Sequence, residues 1–272
     1  MKGLTEDLIK WANSLDGIDS LKSTTWDYYK YNDLGVPRVS NILDTCINKS
    51  FLVNWAASLG SLEAYKQAKF TALDTGSLAH EMIEDYLSDG YTKDHYKMGK
   101  YTNELEASNA YWNYRDFEHD LFSRGYSIDS YFLELQCIGP LYGGTIDFVA
   151  GLRNNNSLKD KMYILDFKTS NKISLEYLLQ TMLYVFNINY LKSIGDPFYS
   201  QLDIEGIGII RVDKKRRGNY QYLFIDFEED KEYTDIIANT AYDMIQWFYS
   251  IKSYEIMYKD IYKNLINREA LF

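Results

Sequence analysis

The chain reads as a mixed α/β protein, with a central mixed β-sheet flanked by helices and a helical N-terminal half. Three observations predict this. Residues 61–123 carry apolar side chains at helical spacing, residues 130–168 alternate at period two and then run apolar in MYILDF, and residues 174–190 and 232–252 return to helical spacing. At 272 residues, with 46% apolar and 16% aromatic side chains, the chain can bury a sizeable core, and 26 tyrosines argue against disorder. We read one domain over 1–272. Its parts are a mainly helical segment 1–125, a sheet core 126–230 and C-terminal helices 231–272.

Composition also limits the function. A net charge of −10 argues against a protein that coats nucleic acid through bulk charge, though it leaves room for a local basic groove. Cys46 and Cys137 lie far apart with no zinc or iron-sulfur spacing, as expected of reduced thiols inside a cell. The N-terminus MKGLTEDLIKW is acidic where a secretory signal is apolar, and no uncharged apolar run reaches membrane-spanning length. The expectation is a cytoplasmic protein with no membrane partner.

Residues 1–36 mix an amphipathic TEDLIKWANSL with the aromatic, turn-rich TTWDYYKYNDLG, and no chemistry is assigned there. From Pro37 the pattern sharpens. Ser40 is placed to cap a short helix through Asp44, and Ser50 to cap FLVNWAASL, which Gly60 closes. Arg38, just before the first cap, is either a phosphate contact or a plain surface arginine. Ser61 opens a longer helical region that is expected to re-set around Thr75 and Gly76. Beyond Gly76, Ala79, Met82, Ile83, Tyr86 and Leu87 form a core stripe, with His80 and Glu84 together on its edge. His80 there either looks into a cleft or is a half-buried histidine bonded to Glu84. Gly76, one turn before it, suggests a close backbone approach. SDGYTKDHYKMGK is a loop containing His95. A helix then runs from about Tyr101 to Ser123 with Leu105, Tyr111, Trp112, Phe117, Leu121 and Phe122 on its buried face, His119 on the surface, and Gly125 as its end.

The sheet begins with SYFLELQCI, where Tyr131, Leu133, Leu135 and Cys137 share one face and Phe132, Glu134 and Gln136 the other. GPLYGG turns the chain into TIDFVAGL, with Asp147 opposite in direction to Ile146 and Phe148. RNNNSLKDK is a polar loop and MYILDFK a strand covered on both sides. Period two puts Asp166 and Lys168 on one face of that strand. The next helix, about Ser174 to Tyr190, aligns Gln180 and Tyr184 and buries Leu178, Met182, Val185 and Phe186. Strands GIGIIRVD and YQYLFIDF follow, joined by a turn containing KKRRGN. A last helix from about Glu232 to Lys252 buries Ile237, Ala241, Met244, Ile245, Phe248 and Ile251, and the tail to Phe272 continues as helix.

Burying charge at the end of an apolar strand is costly, and a metal site would be a reason for it. Asp147 and Asp166, on neighbouring strands, suit Mg2+ or Mn2+, whose hard-cation chemistry supports phosphodiester hydrolysis. Lys168 beside them can orient a water or neutralise developing charge. Lys214, Lys215, Arg216 and Arg217 form the densest positive run, either a track for a DNA backbone or a solvated turn.

The ordered set Gly76 and His80, Glu134, GGTID, DFKT, then Gln180 and Tyr184 resembles the RecB-like exonuclease branch of the PD-(D/E)xK nuclease superfamily. VPRVSNILD, FLVNWA and GSLAHEMIEDYL add a likeness to phage exonucleases related to the mitochondrial genome maintenance exonuclease. The resemblance implies a restriction-endonuclease-like core and a metal-dependent exonuclease acting on single-stranded or frayed DNA ends. By it, His80, Asp147 and Asp166 would be metal ligands, Lys168 the catalytic lysine, and Glu134 an accompanying acid. Gln180 and Tyr184 would line the site and help position the DNA. It implies Mg2+ or Mn2+, no iron-sulfur cluster, linear DNA as partner, and recombination or replication proteins as further partners. A structure-specific endonuclease, or a catalytically silent DNA-end-binding or scaffold protein, is the competing expectation.

Overall fold

The computed structural model describes residues 2–14, 29–32, 34–89, 104–154 and 160–269. His95 and the expected helix start at Tyr101 lie outside them. The elements in order are α1 (Lys2–Ser14), β1 (Tyr29–Tyr31), β2 (Leu34–Val36), α2 (Val39–Cys46), α3 (Ser50–Ser58), α4 (Leu62–Asp89) and α5 (Glu104–Ser123). Then come β3 (Tyr126–Ile138), β4 (Gly143–Asn154), β5 (Lys161–Lys168), α6 (Leu175–Ser193), β6 (Ile204–Val212), β7 (Tyr220–Asp226) and α7 (Lys231–Glu269). The class is the expected one: a mixed sheet flanked by helices, after a helical N-terminal half.

The five-stranded sheet has the order β3-β4-β5-β6-β7, with only the β5–β6 pair parallel. That pair needs a crossover, and α6 supplies it. One face of the sheet carries α1, α2, α6 and α7, and the other carries α5 and the C-terminal half of α4. The side chains from Tyr163 to Phe167 on β5 are therefore buried without a break, as MYILDF requires. α6 is covered by the sheet and by three helices, which is why Leu178 to Ile188, except Gln180, is buried on every side. Among the described residues no helix is long and apolar enough to cross a membrane.

Several local expectations change. α2 starts at Val39, and the Asn41 side chain reaches back to the Arg38 N–H (2.9 Å), so Ser40 is not the cap. Asn48, not Ser50, takes the first free N–H of α3, that of Ser50 itself (2.8 Å). Ser61 does cap α4 through the Ala64 N–H (3.1 Å), and Gly60 closes α3 in the left-handed region at φ +77°. α4 is one continuous helix, with no re-set at Thr75 or Gly76, because Gly76 keeps helical geometry. A Cβ on Gly76 would touch Thr169 Oγ1 at 3.4 Å, so the helix does pass close to the chain just after β5. On α5 the buried stripe is Ala107, Ala110, Tyr111, Asn113, Tyr114, Phe117 and Leu121. Leu105, Trp112 and Phe122 are out of phase with it and are 77%, 43% and 68% exposed.

Period two also breaks within β4. Ile146 packs into the core on the α6 side and Phe148 into the core on the α5 side, though the two should share a face. On β3, Leu133 and Leu135 part in the same way, and Tyr131 falls in a bulge between Ser130 and Phe132. The residue between Leu133 and Leu135 is Glu134, at φ +47°. A left-handed non-glycine residue inverts the alternation of its strand, and Asp147 lies opposite at the matching break.

Candidate active site

The break sits where β4 leaves β5. Their pairing runs from Leu152–Lys161 to Phe148–Leu165 and stops there. Beyond it, Asp147 takes the place of a backbone partner: its Oδ2 accepts the Phe167 N–H at 3.0 Å. His80, on α4, brings Nδ1 to 3.5 Å from the same oxygen and sets its ring edge-on to Phe167. The expected alternative partner, Glu84, does not bond it. Glu84 lies in the same acidic field, together with Asp147 and Glu134.

Asp166 and Lys168 do project together from β5. Asp166 is 2% exposed, and Lys168 Nζ stands 2.6 Å from its Oδ2 at an angle that leaves this oxygen without a well-formed hydrogen bond. From α6, Tyr177 puts its ring 5.1 Å under the Lys168 ammonium, while Gln180 Nε2 donates to the Tyr184 hydroxyl at 3.4 Å. Tyr184 in turn rests on Gly144, where a Cβ would meet its ring at 2.5 Å. Gly143 leaves room for Tyr29, whose hydroxyl bonds Thr145 Oγ1 at 3.0 Å. Arg38, exposed at the start of α2, lies near that ring, at 5.9 Å.

The electrostatics follow from crowding acids at a half-buried strand end. Burial pushes Asp166 up to about 7, with Asp147 adding to it and Lys168 opposing. Burial works against the Lys168 charge too, but Asp166 and Asp147 together outweigh it and keep its pKa above the ordinary value. That direction keeps the lysine in its ammonium form at neutral pH. Partial desolvation, with Asp147 and Glu84 nearby, pushes Glu134 up to about 7. Burial lowers His80 more than Asp147 raises it, so the imidazole is neutral and able to donate a lone pair.

His80, Asp147, Asp166, Lys168, Gln180 and Tyr184 thus meet at the C-terminal end of β5, with Glu134 on the adjoining break. The basic run Lys214–Arg217 lies apart from them, in the β6–β7 turn at the same end of the sheet. Sequence reasoning missed Tyr177, although it stands at helical spacing before Gln180 and Tyr184, and Glu84 as a member of the acidic field. Tyr29 gave no signal at all. A hard divalent cation fits the donors: an under-satisfied buried carboxylate oxygen, a second carboxylate, and a neutral imidazole beside it. Among the described residues no three His, Cys, Asp or Glu side chains already form a metal-binding group, and a cation at Asp166 must compete with Lys168.

No family model matches the chain, and no curated protein is significantly similar to it.

Proposed function

We propose that this protein is a metal-dependent deoxyribonuclease, an exonuclease acting on single-stranded or frayed DNA ends. The observation that carries the reading is the convergence of Asp147, Asp166 and Lys168 with His80, Gln180 and Tyr184 at one strand end. Two acids and a lysine on neighbouring strands, with Asp166 fully buried, are an expensive arrangement for a purely structural role.

Asp147 and Asp166, with His80, would hold Mg2+ or Mn2+, and Glu134 would add negative charge at the rim. The bound ion would supply Lewis-acid stabilisation of a phosphoryl oxygen and a water of lowered pKa. Lys168, held charged, faces the scissile phosphate and offsets charge that builds on it as the P–O bond breaks. Tyr177 supports the ammonium from below and limits its rotamers. Gln180 and Tyr184 present an amide and a hydroxyl to the strand entering the site. The basic turn Lys214–Arg217 accepts the neighbouring backbone. DNA ends in a cytoplasmic setting, handled with recombination or replication proteins, are the corresponding partners.

Release of end label from linear and circular single-stranded DNA, with Mg2+, with Mn2+ and with chelator, tests the reading against Lys168→Ala. Metal-dependent loss of the linear substrate alone, abolished in the variant, is the expected result. Cutting of the circle would make the protein an endonuclease. Binding without hydrolysis in either metal would leave an end-binding protein.

A further inference from the structure

Basic hairpin turns are commonly loose and solvated, but this one is tied down along its main chain. Asn113 on α5 is completely buried, and its Nδ2 donates to the carbonyls of Asp213 (2.6 Å) and Arg216 (2.7 Å). Its Oδ1 accepts the Asn219 N–H at 3.2 Å. One turn earlier, Asn109 donates to the Lys214 carbonyl at 3.2 Å. Inside the turn, Asp213 Oδ1 accepts the N–H groups of Lys215 (2.7 Å) and Arg216 (3.0 Å).

Arg211 joins this knot to the active site. It pairs in register with Lys168 on the neighbouring parallel strand and is 3% exposed. Its Nε donates to the Ser170 carbonyl (2.8 Å), just after Lys168, while its other nitrogens donate to Asn219 Oδ1 (3.1 Å) and Asp213 Oδ2 (2.8 Å). Burying a guanidinium and a carboxamide is costly unless every donor is used, and a hydrophobic pair would fill the space at lower cost. What the polar knot adds is a fixed geometry between two segments, the one leaving Lys168 and the one carrying four cations. The exposed side chains of Lys215 and Arg216 project from this anchored main chain, and Arg217 lies 5.1 Å over the Trp112 ring with Asp116 at 3.9 Å.

We propose that Arg211 and Asn113 are positioning residues that hold the β6–β7 turn as a preorganised clamp for nucleic-acid backbone phosphates at a set place beside Lys168. The proposal rests on the nuclease reading. An ordered clamp loses no loop entropy on binding, so each phosphate held there contributes more to affinity than one held by a mobile turn. It also fixes which phosphate along the strand reaches Lys168.

The test is binding of labelled single-stranded DNA across a salt series, with Ca2+ replacing Mg2+ to suppress hydrolysis, alongside kcat in Mg2+. Lys215→Gln with Arg216→Gln removes charge and leaves the knot intact. Asn113→Ala and Arg211→Lys loosen the knot and keep the charges of the turn. Each phosphate left without its cation lowers the slope of log K against log salt by about 0.7, so both sets should drop it by about 1–2 and weaken binding about tenfold. Arg211→Lys should in addition lower kcat, since Ser170 is released. A slope that falls in the surface variant but stays at the wild-type value in folded knot variants overturns the positioning role. An unchanged slope in the surface variant, which has no reason to misfold, overturns the clamp. Wild-type protein that binds no DNA overturns the nuclease reading, and this proposal with it.

Discussion

Gly144→Ala tests how tightly the site is built. The added Cβ would lie 2.5, 2.8 and 3.0 Å from Cε1, the hydroxyl oxygen and Cζ of Tyr184, against an ordinary separation of about 3.4 Å or more. The ring must therefore move by about 1 Å. It has nowhere easy to go: Tyr184 is 4% exposed, packed in the main core cluster and bonded to Gln180. Overpacking of this kind costs about 1–3 kcal/mol, which in a chain of this size lowers Tm by about 2–5 °C. A 1 Å displacement of a positioning group can cost about 100-fold in rate, so activity on linear single-stranded DNA should fall more sharply than stability. The assay is a double-mutant cycle with Tyr184→Leu, read by thermal melting and by label release. Because the clash needs the ring, Gly144→Ala should be much less destabilising in the Leu background, with a coupling of at least about 1 kcal/mol. Additive losses, or a Gly144→Ala protein with wild-type Tm and rate, would refute the packing argument and the placement of Tyr184 at the site.

Lys168→Met should abolish hydrolysis by at least about 100-fold and also destabilise by about 3 kcal/mol, because the buried Asp166 loses its ion partner and must take up a proton. The deficit should grow as pH rises through 7, because wild-type Asp166 releases its proton there while the carboxyl without the ammonium stays protonated to higher pH; Asp166→Asn with Lys168→Met should come within about 1 kcal/mol of wild type by urea unfolding. At the opposite end of β5, Lys161 Nζ contacts Asp226 Oδ2 at 2.6 Å and Glu229 Oε1 at 2.9 Å. Burial raises Asp226, but Lys161, the Tyr163 hydroxyl and two backbone N–H groups outweigh it and hold it down to about 2. A depressed acid contributes stability above its unfolded pKa of about 3.9 and loses it as pH falls through the folded value. The full shift is worth about 2.6 kcal/mol, and solvent screening of this half-open cluster leaves about 1 kcal/mol. Asp226→Asn should therefore lower the urea midpoint at pH 7, with the difference from wild type closing between about pH 4 and pH 2. Glu134→Gly should raise Tm, since relief of about 1–2 kcal/mol of left-handed strain exceeds the added entropy of glycine, while activity falls. A lower Tm would show that Glu134 is not strained.

Where the backbone is regular, the sequence was enough to place side chains. Asp166 and Lys168 share a face because β5 is paired on both sides through most of its length, and Gln180 and Tyr184 meet because α6 is an unbroken helix. His80 could be placed on the edge of its stripe by periodicity, but its partner could not, since Asp147 is 67 residues away and Glu84 is the nearer choice in sequence. The caps differ from expectation for a local reason: Asn41 reaches backward and Asn48 forward to a main-chain N–H, and serines one or two residues away look equally suitable. Asn113 gave a faint signal, a polar side chain inside an apolar stripe, and Arg211 another, a cation ending GIGII. Neither could be interpreted without knowing that the β6–β7 turn folds back onto α5.

The break of period two at Glu134 is also the place that assembles the site. With Glu134 in an extended conformation, β3 and β4 would keep alternating, and Asp147 would stay in the ladder opposite Asp166. With Glu134 left-handed, both strands invert at one step, β4 parts from β5, and the Asp147 carboxylate is free to take the Phe167 N–H and face His80. No residue type announces this: glutamate is a poor choice for the left-handed region, and a glycine there would have been read as a turn. Its cost is of the order expected for one strained residue and is borne by the cores on both faces of the sheet. A rule of local propensity broken beside two acids and a histidine is where function is to be expected, and it argues for the site independently of any motif.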